Sequence, residues 1–357
     1  MNDAFIPLIE ASAEDTLRAL PPCTICVNDP PWSAFAASPN AGRAADQPRF
    51  TPAQVLVAGS MERADLEQLL SGLVASDVVV GFGGGSALDT AKFIAWRTGR
   101  QLVQLPTITS VDAAFTDAVG VRETGRVRYV GPVLAARVVL DVDLVAQAPA
   151  GLNRAGIGDV LSCHTGLHDW LLATRRNAGP QWDPDAAALG QRLLRELTTL
   201  TADLRAVTPA GVRWLARAYQ AIGSACHHLG HSRFEEGAEH HFAYAYEHLT
   251  GAHPLHGEII ALGTAVVSEL QNNAPDWVRT VLAESGVRCH PADLGISEAD
   301  FRGTLAALPA YCASEGLPWT IVNECALDTH RIDALWRSAC QLPRVSTETW
   351  MAIETQA

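Results

Sequence analysis

The chain has 357 residues, of which 48% are hydrophobic and 18% charged, a balance that is typical of globular proteins and excludes a disordered chain. The formal net charge is −13 and no lysine- or arginine-rich run occurs, so we expect no nucleic-acid partner. No stretch reaches the roughly 18 apolar residues of a membrane span, which predicts no membrane partner. The N-terminal segment has neither the basic nor the apolar region of a signal peptide, and we therefore expect a cytoplasmic protein.

The first 150 residues alternate short apolar runs with helical segments, which predicts βαβ units around a parallel sheet. The predicted strands are Thr24–Val27, Gln54–Val57, Asp77–Phe82, Gln101–Leu105 and Arg137–Leu140. Helices are predicted between them at Arg63–Leu73 and Ala87–Arg97, and Arg122–Tyr129 is interpreted as a polar hairpin. Cys23 and Cys26 match a Cys-x-x-Cys pattern, but the pattern runs into a predicted buried strand and does not open a helix. We therefore interpret both cysteines as structural.

After Pro149 the apolar residues follow the period of a helix. The predicted helices are Asp159–Thr174, Asp185–Leu204, Pro209–Leu229, Glu235–Leu249, Gly257–Gln271 and Asp276–Glu284. No strand is predicted in this half, so the sequence predicts an α/β domain at 1–150 and an all-α domain at 151–357. The cleft between two such domains is a common place for a ligand.

A glycine-rich segment, Gly83, Gly84 and Gly85, lies between a predicted strand and a predicted helix, and Ser86 is expected to cap that helix. Glycines let a ligand approach the backbone, and the N–H groups and positive dipole end of a helix favour a diphosphate. The segment is neither a G-x-G-x-x-G fingerprint nor a Walker A loop, so a tight turn without a ligand is the alternative interpretation.

Two further strand ends carry polar side chains. Residues 106–112, PTITSVD, form a loop rich in hydroxyls, and ligands of open α/β sheets lie at the carboxyl ends of the strands. Asp29 follows the first predicted strand, where a carboxylate could bind ribose hydroxyls and favour NAD over NADP. The alternative is that Asp29 is a turn carboxylate before Pro30 and Pro31.

Histidines are concentrated in the helical half, where ten of the twelve fall between His164 and His256. His240 and His256 are predicted on neighbouring antiparallel helices, and Asp159 begins the first predicted helix of this half. Two imidazoles and one carboxylate with an open position form a catalytic site for Zn²⁺ or another divalent metal. Hydrogen-bonded core histidines are the alternative, and His241, His248 and His253 have weaker claims as ligands.

Five segments, in this order along the chain, resemble the iron-containing alcohol dehydrogenase superfamily, which includes glycerol dehydrogenase, glycerol-1-phosphate dehydrogenase and 3-dehydroquinate synthase. They are GFGGGSALDTAK (81–92), PTITSVDAAFTDA (106–118), GIGD (156–159), SRFEEGAEHHF (232–242) and HGE (256–258). The resemblance implies a dehydroquinate synthase-like fold, in which a Rossmann-like α/β domain binds a dinucleotide and an all-α domain holds metal and substrate. The segments HDWLLA (168–173), SR…GAEH and PWTIVNE (318–324) look closest to the glycerol-1-phosphate dehydrogenase branch.

The resemblance also implies roles for single residues. The metal, Zn²⁺ or alternatively Fe²⁺ or Ni²⁺, would be bound by Asp159, His240 and His256. The dinucleotide, NAD in preference to NADP, would be contacted by Gly83, Gly84, Gly85, Ser86, Asp89, Thr107, Ser110 and Thr116. Asp112 would position the substrate or relay its proton, so Asp112, Asp159 and His256 are the candidate catalytic residues. A homo-oligomer is also implied.

The predicted activity interconverts a small polyol, similar to glycerol 1-phosphate, and its ketone by hydride transfer. Two departures from the branch bear on the substrate: Glu235 and Glu236 replace small residues, and Tyr244 replaces a substrate-binding histidine. Two acids would repel a phosphate, so an enzyme similar to glycerol dehydrogenase that acts on a free polyol is one alternative. The others are a lyase or cyclase like dehydroquinate synthase, which uses Glu where this chain has Asp159, and an inactive binding protein.

Overall fold

The computed structural model describes residues 6–37 and 50–351. Residues 1–5, on which the expected lack of a signal peptide partly depends, lie outside this described part. The chain divides into two compact units, Met1–Ala148 and Pro149–Ala357. Over the described ranges, none of the helices combines the length and hydropathy required to span a membrane.

The first unit is built around a sheet of six parallel strands in the order β1-β8-β5-β4-β2-β3. The strands of this sheet are β1 (Leu8–Glu10), β2 (Thr24–Val27), β3 (Gln54–Val57), β4 (Val78–Gly83), β5 (Gln101–Pro106) and β8 (Arg137–Leu140). The helices of the unit are α1 (Ala13–Ala19), α2 (Pro31–Ala37), α3 (Arg63–Ser71), α4 (Gly85–Thr98) and α5 (Val142–Ala146). Ile25, Val80, Val103 and Val139 from neighbouring strands form its core, as continuous apolar runs of buried parallel strands do.

All five predicted strands are confirmed to within a residue at each end. The edge strand β1 was not predicted, because Leu8–Glu10 is short, partly exposed and has no apolar run. The predicted hairpin is confirmed as an antiparallel pair, β6 (Val119–Glu123) and β7 (Arg126–Val130). Its turn places Thr124 at φ 54 and Gly125 at φ 74, which suits a two-residue hairpin loop.

The second unit is helical, and none of its residues within the described part forms a strand, as predicted. Its helices are α6 (Ala150–Ala155), α7 (Ile157–Leu161), α8 (Cys163–Arg175), α9 (Pro184–Thr199), α10 (Thr201–Arg205), α11 (Pro209–Leu229), α12 (Ala238–Thr250), α13 (His256–Gln271), α14 (Pro275–Ser285), α15 (Glu298–Glu315), α16 (Thr329–Ala339) and α17 (Thr347–Met351). A 3₁₀ turn, Ile321–Asn323, lies between α15 and α16.

Several predicted helix boundaries were wrong. The predicted helix Asp159–Thr174 is divided into α7 and α8 at Ser162, whose hydroxyl donates to the Asp159 carbonyl and competes with the helical pattern. The predicted helix Asp185–Leu204 is interrupted at Leu200, which has a φ of −112° and a ψ of 9°. The helix predicted from Glu235 begins only at Ala238. The last three helices were not predicted, and α15 contains Pro309 in its interior.

Candidate functional site

The three predicted metal ligands are brought together by three helices of the second unit. Asp159 lies in α7, His240 in α12, and His256 is the first residue of α13. One ligand atom from each lies within 4.8 Å of the other two, and His256 Nε2 is 3.6 Å from Asp159 Oδ1. The two imidazole centroids are 5.5 Å apart. Two nitrogens and one carboxylate oxygen are donors that suit Zn²⁺, Fe²⁺ or Ni²⁺.

Close contact between two glycines allows α7 and α13 to bring the predicted ligands Asp159 and His256 together. A Cβ atom on Gly158 would lie 2.0 Å from the carbonyl oxygen of Gly257. These glycines are direct sequence neighbours of Asp159 and His256. Any side chain at Gly158 would therefore separate the two helices at the point where they present their ligands.

His240 is oriented by the preceding residue. Its Nδ1 is 3.0 Å from Glu239 Oε1, which also accepts a hydrogen bond of 2.5 Å from the Gly237 N–H. Because Nδ1 of His240 is bound to Glu239, Nε2 remains available to a metal ion, as in the carboxylate–histidine pairs of many metal sites. Burial by itself lowers the pKa of His240, but the Glu239 hydrogen bond and the charges of Glu236, Glu239 and Asp159 raise that pKa to about 9.

The start of α12 is anchored by a buried carboxylate from α8. Asp169 accepts hydrogen bonds from the Ala238 N–H at 2.9 Å and from the Ile321 N–H at 2.8 Å. Arg233 donates to the Trp319 carbonyl at 2.6 Å. The segments HDWLLA, SR…GAEH and PWTIVNE, which were singled out in the sequence, therefore meet in space and support His240.

The residues that depart from the branch pattern lie around the same helix start. Tyr244 lies one turn after His240, and the two rings are 6.0 Å apart. Glu235 Oε1 is 3.3 Å from the sulfur of Cys226. Glu236 accepts from the Ser232 hydroxyl at 2.9 Å and, through its carbonyl, from Arg233. The Arg233 side chain is almost completely buried, and its two terminal nitrogens donate to the carbonyls of Glu236 and Trp319.

The other candidate histidines have different contacts. His241 packs against Cys312, with Nδ1 3.7 Å from Sγ, and burial together with the nearby Arg233 charge lowers the pKa of His241 to about 3. His248 lies against Tyr311 with 5.6 Å between ring centroids. His253 Nδ1 is 3.2 Å from a carboxylate oxygen of Glu247. None of the three belongs to the group of converging ligand atoms.

The glycine loop of the first unit is held by a residue that the sequence analysis missed. Asn28, directly after β2, accepts a hydrogen bond from the Gly84 N–H at 2.8 Å and donates to Ser86 Oγ at 2.9 Å. Gly83 has a φ of +154°, and a Cβ there would lie 2.3 Å from Asn28 Oδ1. The expectation that Ser86 caps α4 was wrong, because Gly84 is the N-cap and the helix begins at Gly85. The available signal was the position of Asn28 at the carboxyl end of a parallel strand.

Of the remaining cofactor candidates, Asp89 lies in α4, and Thr107, Ser110 and Thr116 lie in the loop between β5 and β6. The Thr107 N–H donates to the Gly83 carbonyl at 3.0 Å, and Ser110 is buried in the same loop. Asp89 and Thr116 are joined through Lys92, whose ammonium is 2.7 Å from Asp89 and 3.1 Å from Thr116 Oγ1. Burial raises the pKa of Asp89, while the charge and hydrogen bond of Lys92 act to lower it.

The four other residues singled out in the sequence lie in the turns and strands of the same unit. The Asp112 carbonyl accepts from the Phe115 N–H at 2.8 Å, so Asp112 opens a tight turn. Asp29 Oδ1 accepts from the backbone N–H and the hydroxyl of Ser33, at 3.2 and 2.6 Å, which is the arrangement of a turn carboxylate. Burial raises the pKa of Cys23 to about 11 and that of Cys26 to about 12. Both are therefore buried, protonated thiols in or beside β2, in agreement with a structural role.

Comparison with known proteins gives consistent matches in sequence. A family model described as iron-containing alcohol dehydrogenase matches residues 39–149. The chain is 33% identical over 274 residues to the glycerol-1-phosphate dehydrogenase [NAD(P)+] of Hyperthermus butylicus, an alignment that covers 75% of this chain and 74% of that protein. The protein of the same name from Sulfurisphaera tokodaii is 29% identical, with 72% of this chain and 75% of that protein covered.

Solved structures match the fold over nearly the whole chain. A probable glycerol dehydrogenase from Sinorhizobium meliloti has a TM-score of 0.71 and 21% identity, with 93% of this chain and 97% of that chain covered. The glycerol dehydrogenase of Schizosaccharomyces pombe has a TM-score of 0.67 and 17% identity, with 92% and 84% covered. At these identities the likeness concerns the fold, and it confirms the predicted α/β half followed by a helical half.

Proposed function

The chain belongs to the iron-containing alcohol dehydrogenase superfamily, in the branch of the glycerol-1-phosphate and glycerol dehydrogenases, and we propose that it interconverts a small polyol and its ketone. The reaction would use NAD(P) and one divalent metal. The observation that carries the proposal is the convergence of Asp159, His240 and His256, whose ligand atoms lie within 4.8 Å of one another. The names of the relatives, which are NAD(P)-linked dehydrogenases, support the same reaction class.

In this proposal, Asp159, His240 and His256 hold the metal, with Zn²⁺ favoured and Fe²⁺ or Ni²⁺ as alternatives. When bound, the metal supplies Lewis acidity toward an alcohol or ketone oxygen, and the nicotinamide supplies the hydride chemistry. Glu239 keeps Nε2 of His240 directed at the ligand position through its bond to Nδ1. Asp112 positions the substrate or holds its proton at the carboxylate.

The glycine loop is proposed to bind the cofactor diphosphate. Cβ atoms on Gly83 and Gly84 would collide with Asn28 and Ile108, so the loop is a compact turn that has no room for side chains. The backbone N–H groups at the start of α4, from Gly85 and Ser86, are the donors and bring the positive end of the helix dipole with them. Thr107, Ser110, Asp89 and Thr116 are proposed to complete the dinucleotide site. The charge of Asp29 beyond β2 is proposed to favour NAD by repelling a 2′-phosphate, although its Oδ1 accepts from Ser33 as a turn carboxylate does.

The names of the relatives support a substrate similar to glycerol 1-phosphate. A free polyol is the second candidate, and a specific observation favours it. Arg233 is buried and bonded to backbone carbonyls, while Tyr244 stands where the branch has a substrate-binding histidine. Tyr244 offers no positive charge to a phosphate, and the negative charge of Glu236 near His240 would repel one.

The test is oxidation of NADH and NADPH by the Zn²⁺-reconstituted protein, with dihydroxyacetone phosphate and dihydroxyacetone in parallel. Faster turnover of the phosphate ester supports the first candidate, and turnover of the free ketone alone supports the second. His256→Ala should abolish both metal binding and turnover. A His256→Ala protein that is fully active without metal would refute the proposed centre. Retained cofactor affinity without any net change in NADH would instead favour a lyase or an inactive binding protein.

We further propose that the protein acts in the cytoplasm as a homo-oligomer, without nucleic acid or membrane as a partner. The acidic net charge of −13 argues against a polyanionic partner. Cell fractionation tests the location, and sedimentation equilibrium of the purified protein tests the assembly. A single species with the mass of one chain, 38.1 kDa, at micromolar concentration would contradict the oligomer.

A further inference from the structure

A buried carboxylate close to the proposed metal centre is bound by a residue of α17. Glu258 lies two residues after His256 in α13 and is almost completely buried. The indole N–H of Trp350, in α17, donates to Glu258 Oε1 at 2.7 Å. Arg288 donates to both oxygens of the same carboxylate, with a shortest distance of 2.8 Å. The Arg288 guanidinium also lies 4.8 Å from the centre of the Trp350 ring, so the three side chains form one closed cluster.

Trp350 also rests on α6. A Cβ on Gly151 would lie 2.2 Å from the indole nitrogen, so the ring lies directly on the glycine backbone. The carbonyl of Thr349, the preceding residue, accepts from Arg154 at 3.0 Å. Arg154 is buried and donates to the Arg205 carbonyl at 2.6 Å. Helix α6 ends at Ala155, shortly before Asp159, so α17 binds the segments that lead into two of the three ligands.

We propose that Trp350 is a positioning residue for the metal centre, which it serves by fastening α6 to the start of α13. Metal–ligand distances tolerate changes of only about 0.2 Å. The backbones of Gly158 and Gly257 are already in close contact, so α7 and α13 cannot move closer together to compensate for a displacement. A small displacement of α6 against α13 therefore changes the separation of Asp159 and His256. The inference rests on the proposed metal centre, to which it adds a dependence on α17.

The test compares two tryptophan-to-phenylalanine variants of the full-length protein. Trp350→Phe keeps an aromatic ring over Gly151 and beside Arg288 but removes the hydrogen bond to Glu258. Trp214→Phe is the matched control, because the Trp214 indole also donates to a carboxylate, Glu196, at 3.0 Å. That pair joins α11 to α9, neither of which contains a proposed ligand. The readouts are the Zn²⁺ dissociation constant, from competition with a chromophoric chelator, and the unfolding temperature of each metal-free protein.

We expect Trp350→Phe to weaken Zn²⁺ binding by about tenfold, the lower end of the cost of disturbing residues that support a metal ligand. Trp214→Phe should leave the dissociation constant unchanged, although both variants lower the metal-free unfolding temperature. Equal Zn²⁺ affinities in the two variants would overturn the inference, because Trp350 would then only stabilise the fold.

Glu258→Gln gives a second measurement if Trp350→Phe does not fold. It keeps an acceptor for the indole and weakens the pairing with Arg288, and it should also weaken Zn²⁺ binding. An unchanged dissociation constant for Glu258→Gln would count against the inference. Failure of the unaltered protein to bind Zn²⁺ is a different result, since it would refute the proposed centre itself and this inference with it.

Discussion

The substitution Gly158→Ala should abolish metal binding at the proposed centre while leaving the chain folded. Gly158 is buried in α7, directly before Asp159, and its Cα faces the carbonyl of Gly257, directly before Glu258 and after His256. An alanine Cβ would lie 2.0 Å from that carbonyl oxygen, whereas ordinary contact begins at 3.4 Å. Since the obstacle is backbone and cannot rotate away, α7 and α13 would have to separate by about 1.4 Å at this point.

Two opposing effects determine the size of the change. Alanine is a better helix former than glycine by about 1 kcal/mol, while overpacking a rigid contact costs about 1–3 kcal/mol. The free energy of unfolding should therefore fall by no more than about 2 kcal/mol. Metal binding is far less tolerant, because a separation of about 1.4 Å exceeds the roughly 0.2 Å that metal–ligand distances allow. We expect the Zn²⁺ affinity to fall by at least about a hundredfold.

The assay is Zn²⁺ competition with a chelator, with urea unfolding of the metal-free protein measured alongside it. Gly303→Ala is the control, because Gly303 lies within α15 and a Cβ there would meet nothing within 4 Å. This control should raise the free energy of unfolding by about 1 kcal/mol and leave Zn²⁺ binding unchanged. A Gly158→Ala protein that binds Zn²⁺ as tightly as the parent would refute the reasoning, since the two glycines would then not set the ligand separation.

Three other predictions concern the proposed metal and the glycine loop. Glu239→Gln removes the charge that faces His240 Nδ1 but keeps an acceptor there, so Zn²⁺ binding should weaken by about 10- to 100-fold; an unchanged affinity would show that the carboxylate does not tune His240. Free Zn²⁺ at about a hundred times its dissociation constant should stabilise the folded protein by about 2.7 kcal/mol, and His256→Ala should lose this increment in thermal unfolding. Asn28→Ala leaves the Gly84 N–H without its acceptor, so NADH titrations should show weaker binding by about fivefold or more, which corresponds to roughly 1 kcal/mol. Equal NADH affinities would contradict the role assigned to Asn28.

The sequence alone determined the features that depend on local pattern. Short, largely apolar segments predicted the buried strands β2, β4 and β5, because a strand buried on both faces is mostly apolar. A helical period predicted α11 with its bounds, which Pro209 and Gly230 mark at its two ends. The residue types Asp and His, combined with family resemblance, singled out the three side chains that the structure then places within ligand distance of one another.

Other features depended on contacts between residues far apart in the chain, and only the tertiary structure decided them. Asn28 accepts a hydrogen bond from Gly84, and Trp350 donates one to Glu258. Such hydrogen bonds between distant residues produce no periodic pattern in the sequence. The need for a glycine at position 158 is not visible locally either, because it arises from the close approach of the Gly257 carbonyl on another helix. The hydrophobic pattern of a segment shows which of its faces is buried. The distance between two proposed metal ligands depends instead on which helix backbones pack together and how closely. That information arises only when the helices pack.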